Sequence, residues 1–87
     1  MRREAEFFEN QQELELVYMS RRLREALEIE KLFTGAGLEY LVETGMYVGG
    51  FLIKRDLTGA FFYLAARDVA RARSILIEHG YRPYEGS

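Results

Sequence analysis

Leu14-Glu15-Leu16-Val17-Tyr18-Met19, then residues 20–37, then Leu38-Glu39-Tyr40-Leu41-Val42 read as a strand, a helix closed by glycine, and a second strand. The order returns in Ala60-Phe61-Phe62-Tyr63-Leu64-Ala65, residues 67–80, and Tyr81-Arg82-Pro83. Two strand-helix-strand units fit in 87 residues only if each helix is the crossover between strands running the same way. A chain of this length supports one core, because a small domain buries only about three-fifths of its unfolded surface.

The local patterns agree with that reading. Leu14, Leu16 and Tyr18 alternate with Glu13, Glu15, Val17 and Met19, the period of a strand. Ser20 is placed to cap the first helix, whose apolar stripe is Leu23, Ala26, Leu27, Ile29 and Phe33, and Gly37 to close it. Asp68 is placed to cap the second helix, which buries Val69, Ala72, Ile75 and Leu76 and stops at Gly80. Pro83 restricts the last strand to a short edge. Residues 44–59 hold Gly45, Gly49, Gly50 and Gly59 among apolar residues, and read as a broken strand and turn within a hairpin from about Tyr47 to Ala65. The expected architecture is an α+β, ferredoxin-like βαββαβ sandwich, a four-stranded antiparallel sheet with two helices on one face. Residues 1–12 read as a flexible N-terminal arm, 13–84 as the single domain and 85–87 as a C-terminal tail.

Composition narrows the function classes. With no cysteine, disulfides, thiolate metal sites and cysteine nucleophiles are excluded. A net charge of -2 argues against non-specific nucleic-acid binding, which requires many neutralised phosphates. The longest apolar run, residues 61–66, is far below the roughly 18 residues of a membrane span, and Met1-Arg2-Arg3-Glu4 does not lead into a secretory core. The cytoplasm is the expected compartment. His79 is the only histidine and sits in a last helical turn, a structural position favoured by the helix dipole. Gly49-Gly50 lacks the lysine and following helix of a phosphate-binding loop, so no cofactor is expected.

Three segments resemble a known group: Leu16-Val17-Tyr18, Gly35-Ala36-Gly37-Leu38-Glu39, and Leu64-Ala65-Ala66-Arg67-Asp68-Val69-Ala70-Arg71-Ala72. They are similar to segments of small PII-like proteins named for signal transduction, over about residues 14–83. The resemblance implies a ferredoxin-like fold and a signalling role, with no reaction, ligand or catalytic residue to carry over. The aromatic, glycine-broken stretch 46–59 matches no motif of that group.

Two constellations remain as candidates. Arg21, Arg22 and Arg24 crowd the start of the first helix beside Ser20, and Arg67, Arg71 and Arg73 the start of the second, where positive charge opposes the helix dipole. Arg21–Glu25 and Arg24–Glu28 pairs at i,i+4 would answer the first cluster; an anion held by Ser20, Arg21 and Arg22, or by Arg67, Arg71 and Arg73, would answer the conflict differently. The other constellation is aromatic. Helices on one face leave the second sheet face to be covered, and a second copy of the chain is the cheapest cover, with Phe7, Phe8, Tyr47, Phe51 and Phe62 as its interface. The leading expectation is a non-catalytic regulatory or interaction domain that self-associates as a homodimer, with a small anionic metabolite, nucleotide or protein as partner. The alternative is a small dimeric ferredoxin-like enzyme with a pocket between helices and sheet. Neither nucleic acid nor membrane is expected as a partner.

Overall fold

The computed structural model describes residues 1–8, 13–46 and 58–84. In chain order these form a short 3-10 helix Ala5–Phe8, β1 Leu14–Ser20, α1 Leu23–Gly35, β2 Leu41–Met46, β3 Thr58–Ala65 and α2 Ala66–Glu78. The strands make an antiparallel sheet in the order β1-β3-β2. β1 and β2 therefore run the same way with β3 inserted between them, which is how a helical crossover and a hairpin coexist in one sheet.

The expected fourth strand is absent among the described residues: the sheet has three strands, and the α+β class and split strand-helix-strand topology are what remain of the four-stranded expectation. Residues 81–84 lie along β1 with a single backbone bond, from Tyr84 N–H to the Val17 carbonyl at 2.7 Å. The cause is local. Gly80 and Tyr81 are still committed to closing α2, and Pro83 has a fixed φ and no N–H to give, so Tyr84 is the residue that reaches β1.

Both helices end in the same motif. Gly37 and Gly80 take φ of +78° and +86°, a region that costs an L side chain about 1–2 kcal/mol. In each case the glycine N–H bonds back three residues, and the next N–H bonds back five: Leu38 to Phe33, Tyr81 to Leu76. The helix starts lie elsewhere than the sequence suggests. α1 begins at Leu23 behind Arg22, and α2 at Ala66 behind Ala65, neither capping residue making a side-chain bond; Ser20 ends β1, and Asp68 sits inside the first turn.

The core lies between the helices and the sheet. Ala26, Ile29 and Phe33 of α1 and Val69, Ala72 and Leu76 of α2 pack on Val17, Val42, Phe62 and Leu64. Three rings organise it, with Phe33–Tyr40, Phe33–Phe62 and Tyr40–Phe62 centroids 5.5, 6.0 and 6.2 Å apart. Such offset contacts add about 0.5–1.5 kcal/mol each beyond area burial. Tyr40 is buried with its hydroxyl satisfied, 2.8 Å from Thr34 Oγ1 and donating to the Glu30 carbonyl at 3.2 Å. Leu23 and Leu27, expected in this core, are 75% and 53% exposed. They lie roughly 90° to 130° around α1 from its buried stripe. Ile75 is partly buried against the core.

One irregularity sets the faces of β1. Leu16 pairs with Tyr63, but Tyr18 pairs with Phe62, so Val17 is an inserted bulge residue. Past the bulge the alternation is displaced by one: Val17 is fully buried, and Tyr18 turns to the helix side with Phe62, not to the face of Leu14 and Leu16. The second face carries Leu16, Tyr63 and Leu41 in one row and Met19, Phe61 and Glu43 in the next. Phe8 and Leu41 are buried yet outside the helix-side cluster. Residues 1–3 are pinned beside β2 through Arg3 N–H to the Tyr40 carbonyl, Tyr40 N–H to the Met1 carbonyl and Arg3 Nε to Glu39 at 2.6 Å.

No helix of the described structure is long and apolar enough to cross a membrane. Phe62, expected at an interface, is fully buried among the helices. Phe62→Ala is accordingly expected to cost about 3–5 kcal/mol in urea unfolding, whereas Phe7→Ala, at a half-exposed ring, should cost less than about 1 kcal/mol. Equal effects would put the core elsewhere.

Candidate functional site

The start of α1 is built around one carboxylate. Glu25, in the first turn, accepts from Ser20 Oγ at 2.9 Å and from the Tyr18 hydroxyl at 3.1 Å. Both donors come from β1 beyond the bulge, whose displaced alternation turns Tyr18 and the buried Ser20 toward the helix. The Ser20 oxygen also accepts the Arg22 N–H at 3.3 Å and lies 3.0 Å from the Arg22 carbonyl, tightening the turn from strand to helix. One turn on, Glu28 accepts from the Tyr81 hydroxyl at 3.1 Å, and the Tyr18 and Tyr81 rings meet edge to face at 5.8 Å. Desolvation, then the Glu25 bond and charge, push the Tyr18 hydroxyl up to about 12; Tyr81 is raised likewise, by desolvation first and then by Glu28.

The tyrosines take the acids that were expected to pair with arginines. Among the described residues, Arg21, Arg22 and Arg24 make no side-chain hydrogen bond or ion pair. The first bond inside α1 runs from Ala26 N–H to the Arg22 carbonyl, so the N–H groups of Leu23, Arg24 and Glu25 have no partner within the helix. A hollow of about 420 Å³ opens at this point, lined by Ser20, Arg21, Arg22, Leu23 and Ala26 on one side and Thr44, Gly59 and Ala60 on the other. Gly59 is required for this approach, since a Cβ there would sit 2.8 Å from the Ser20 carbonyl oxygen.

The second arginine cluster is at the opposite end of the domain, because the helices run antiparallel across the sheet. Arg71 donates to the Ala36 carbonyl at 2.7 Å, placing its charge on the negative end of α1. Arg67 lies 4.0 Å from Asp68. Arg73 is half-buried, and its Nε is enclosed without a hydrogen-bond partner. The six residues proposed for an anion thus fall apart: Ser20, Arg21 and Arg22 share a hollow, whereas Arg71 is bonded to the end of α1, Arg67 is an exposed side chain beside Asp68, and Arg73 Nε is enclosed without a partner.

Of the interface candidates, Phe7 is 52% exposed, with the Arg3 guanidinium 4.4 Å from its ring centre, while Phe8 and Phe62 are buried. Tyr47 and Phe51 lie outside the described residues. The space between helices and sheet, where the alternative enzyme would need its pocket, is occupied by the aromatic core. His79 Nδ1 sits 3.0 Å from the Ile75 carbonyl, which can only accept, so this nitrogen carries the proton and the ring serves the helix end. No cluster of three metal-ligating side chains exists among the described residues.

No family model, curated protein or solved structure matches the chain. The described residues form a small α+β domain of two helices and a three-stranded sheet, consistent with a generic ferredoxin-like fold. The likeness to PII-like proteins has no match behind it.

The tyrosine shift has a measurable consequence. Tyr18 holds its proton more tightly folded than unfolded, so the stability it contributes is fully present below about pH 10 and is lost as pH rises toward 12. Chemical unfolding across that range should show this decline, and Tyr18→Phe should flatten it while lowering stability at pH 7. An unchanged slope in Tyr18→Phe would mean that Glu25 does not hold the phenol.

Proposed function

We propose that the chain is a small non-catalytic binding domain that takes the anionic group of a metabolite or nucleotide in the hollow at the start of α1. The observation that supports it is the diversion of Glu25 to Tyr18 and Ser20, which leaves Arg21 and Arg22 without acidic partners at one concave site, beside helix N–H groups that have no partner within α1. Positive charge at a helix start is unfavourable by about 0.3–1 kcal/mol for each side chain, and a phosphate or carboxylate there reverses the sign. Glu25 opposes such a ligand, but both of its oxygens already receive hydroxyl donors.

The test is thermal unfolding in rising inorganic phosphate and pyrophosphate. An anion that binds the folded state raises the midpoint, by about 2.7 kcal/mol of stability at a hundredfold excess over its dissociation constant. Arg21→Ala with Arg22→Ala should remove the shift, and Arg67→Ala with Asp68→Ala should leave it. No shift in the parent protein, or one that survives loss of Arg21 and Arg22, would end the proposal.

Self-association belongs to the same reading, as the step by which a regulatory domain of this size would signal in the manner that the PII-like resemblance implies. Phe7 supports it, being a half-exposed ring held in place by Arg3 next to the buried Phe8. Light scattering at micromolar concentration should give a mass above that of one chain, reduced by Phe7→Ser; a single-chain mass in the parent protein would remove this element.

A further inference from the structure

Beside the anion hollow, α1 presents a second surface. Leu23 and Leu27 are one turn apart and are the most exposed aliphatic side chains of the helix. Leu27 also lines a separate groove of about 710 Å³, with Arg24, Glu28, Glu30, Lys31, Thr34 and Tyr40 around it. Because Leu23 belongs to the upper hollow and Leu27 to the lower groove, the two depressions follow one another along the helix.

The charges beside these leucines are unequal. Arg24 and Lys31 are seven residues apart and therefore on one side of the helix, and neither has an ion pair or side-chain hydrogen bond among the described residues. Arg21 and Arg22 extend the positive charge upward. Of the acids in the groove, Glu30 is ion-paired with Arg2 at 3.5 Å, while Glu28 accepts from the neutral Tyr81 hydroxyl and keeps its charge, so Arg21, Arg22, Arg24 and Lys31 still outnumber the carboxylates of Glu25 and Glu28 along this flank. A second copy of the chain fits this surface poorly, since a two-fold contact would set the same unpaired cations against one another.

We infer that this flank of α1 is a docking surface for an acidic amphipathic peptide segment, whose apolar side covers Leu23 and Leu27 and whose carboxylates meet Arg24 and Lys31. The inference goes beyond the anion hollow. A free phosphate needs Arg21, Arg22 and the helix N–H groups, whereas the peptide needs the leucines. Apolar contact would supply the affinity, and the complementary charge would supply orientation and speed of encounter.

Fluorescence anisotropy with a labelled Leu/Glu amphipathic peptide of about 14 residues, compared with its Leu/Lys counterpart, tests this. The acidic peptide should bind saturably and the basic one should not. Raising salt from about 0.1 M to about 1 M, which cuts the screening length from about 10 Å to about 3 Å, should weaken binding. Leu23→Ser with Leu27→Ser should weaken it at least about tenfold, and Leu27→Ser alone, which lies outside the anion hollow, should weaken it without altering the phosphate response; the leucines are exposed, so the fold is expected to survive. Arg24→Glu with Lys31→Glu provides a second variant, with the peptide preference inverted. Equal binding of both peptides, binding indifferent to the leucines, or no saturable binding would overturn the inference. So would light scattering showing that the leucine variant loses a dimer while the parent protein binds no peptide, because the occupant would then be a second copy. Loss of the phosphate response alone would count against the anion hollow and leave the docking surface standing.

Discussion

The Glu25 carboxylate, held by Ser20 and Tyr18, is the contact on which the start of this domain depends. It ties the end of β1 to the first turn of α1, satisfies the otherwise buried Ser20 hydroxyl and fixes the Tyr18 ring against Tyr81. Removing the carboxylate would leave a partly desolvated phenol without an acceptor, a cost of about 1–3 kcal/mol, while the Ser20 hydroxyl would still have the Arg22 carbonyl at 3.0 Å. It also supplies negative charge in the first turn of α1, where the helix dipole favours it.

This contact exists because of the bulge at Val17. Without the inserted residue, strict alternation would carry Tyr18 to the second sheet face with Leu14 and Leu16, and its hydroxyl would be on the wrong side of the sheet from Glu25. The bulge therefore sets both the packing of Val17 and the chemistry of the helix start. The same displacement puts Met19 on the second face, 41% exposed, beside Phe61. Phe8, on the arm pinned at Tyr40, and Leu41, on the second face, are both buried outside the helix-side cluster.

Much of the architecture was legible in the sequence because it rests on periodicity and glycine. The two strand-helix units, the inward stripe of each helix and the left-handed closures at Gly37 and Gly80 all follow from spacing. What was not legible depends on tertiary competition. A bulge leaves no mark in a run such as Leu14–Ser20, where both faces carry apolar residues. Arg21–Glu25 and Arg24–Glu28 have ideal i,i+4 spacing, yet tyrosines from β1 and from beyond α2 reach the same carboxylates. Leu23 and Leu27 look like core by spacing, but they sit on a side of α1 away from its buried stripe. The fourth strand failed because a helix closure and a proline occupy the few residues where pairing would begin.

The candidate site arises from this competition between acceptors. An exposed arginine–glutamate pair on a helix contributes about 0.3–0.5 kcal/mol, less than the cost of stranding the desolvated Tyr18 phenol, so the phenol wins the Glu25 carboxylate. The arginines are then left at the positive end of α1 without internal compensation. At the other end of the same helix the situation is inverted: Arg71 crosses from α2 to the Ala36 carbonyl and places a cation where the dipole favours it. The two arginine clusters look alike in sequence and differ in physical state. In the one beginning α2, Arg71 is bonded to the end of α1 and Arg67 lies beside Asp68, whereas the one beginning α1 faces a hollow and has lost its acids to a hydrogen-bond network, which is why a search for an external anion belongs at Arg21 and Arg22.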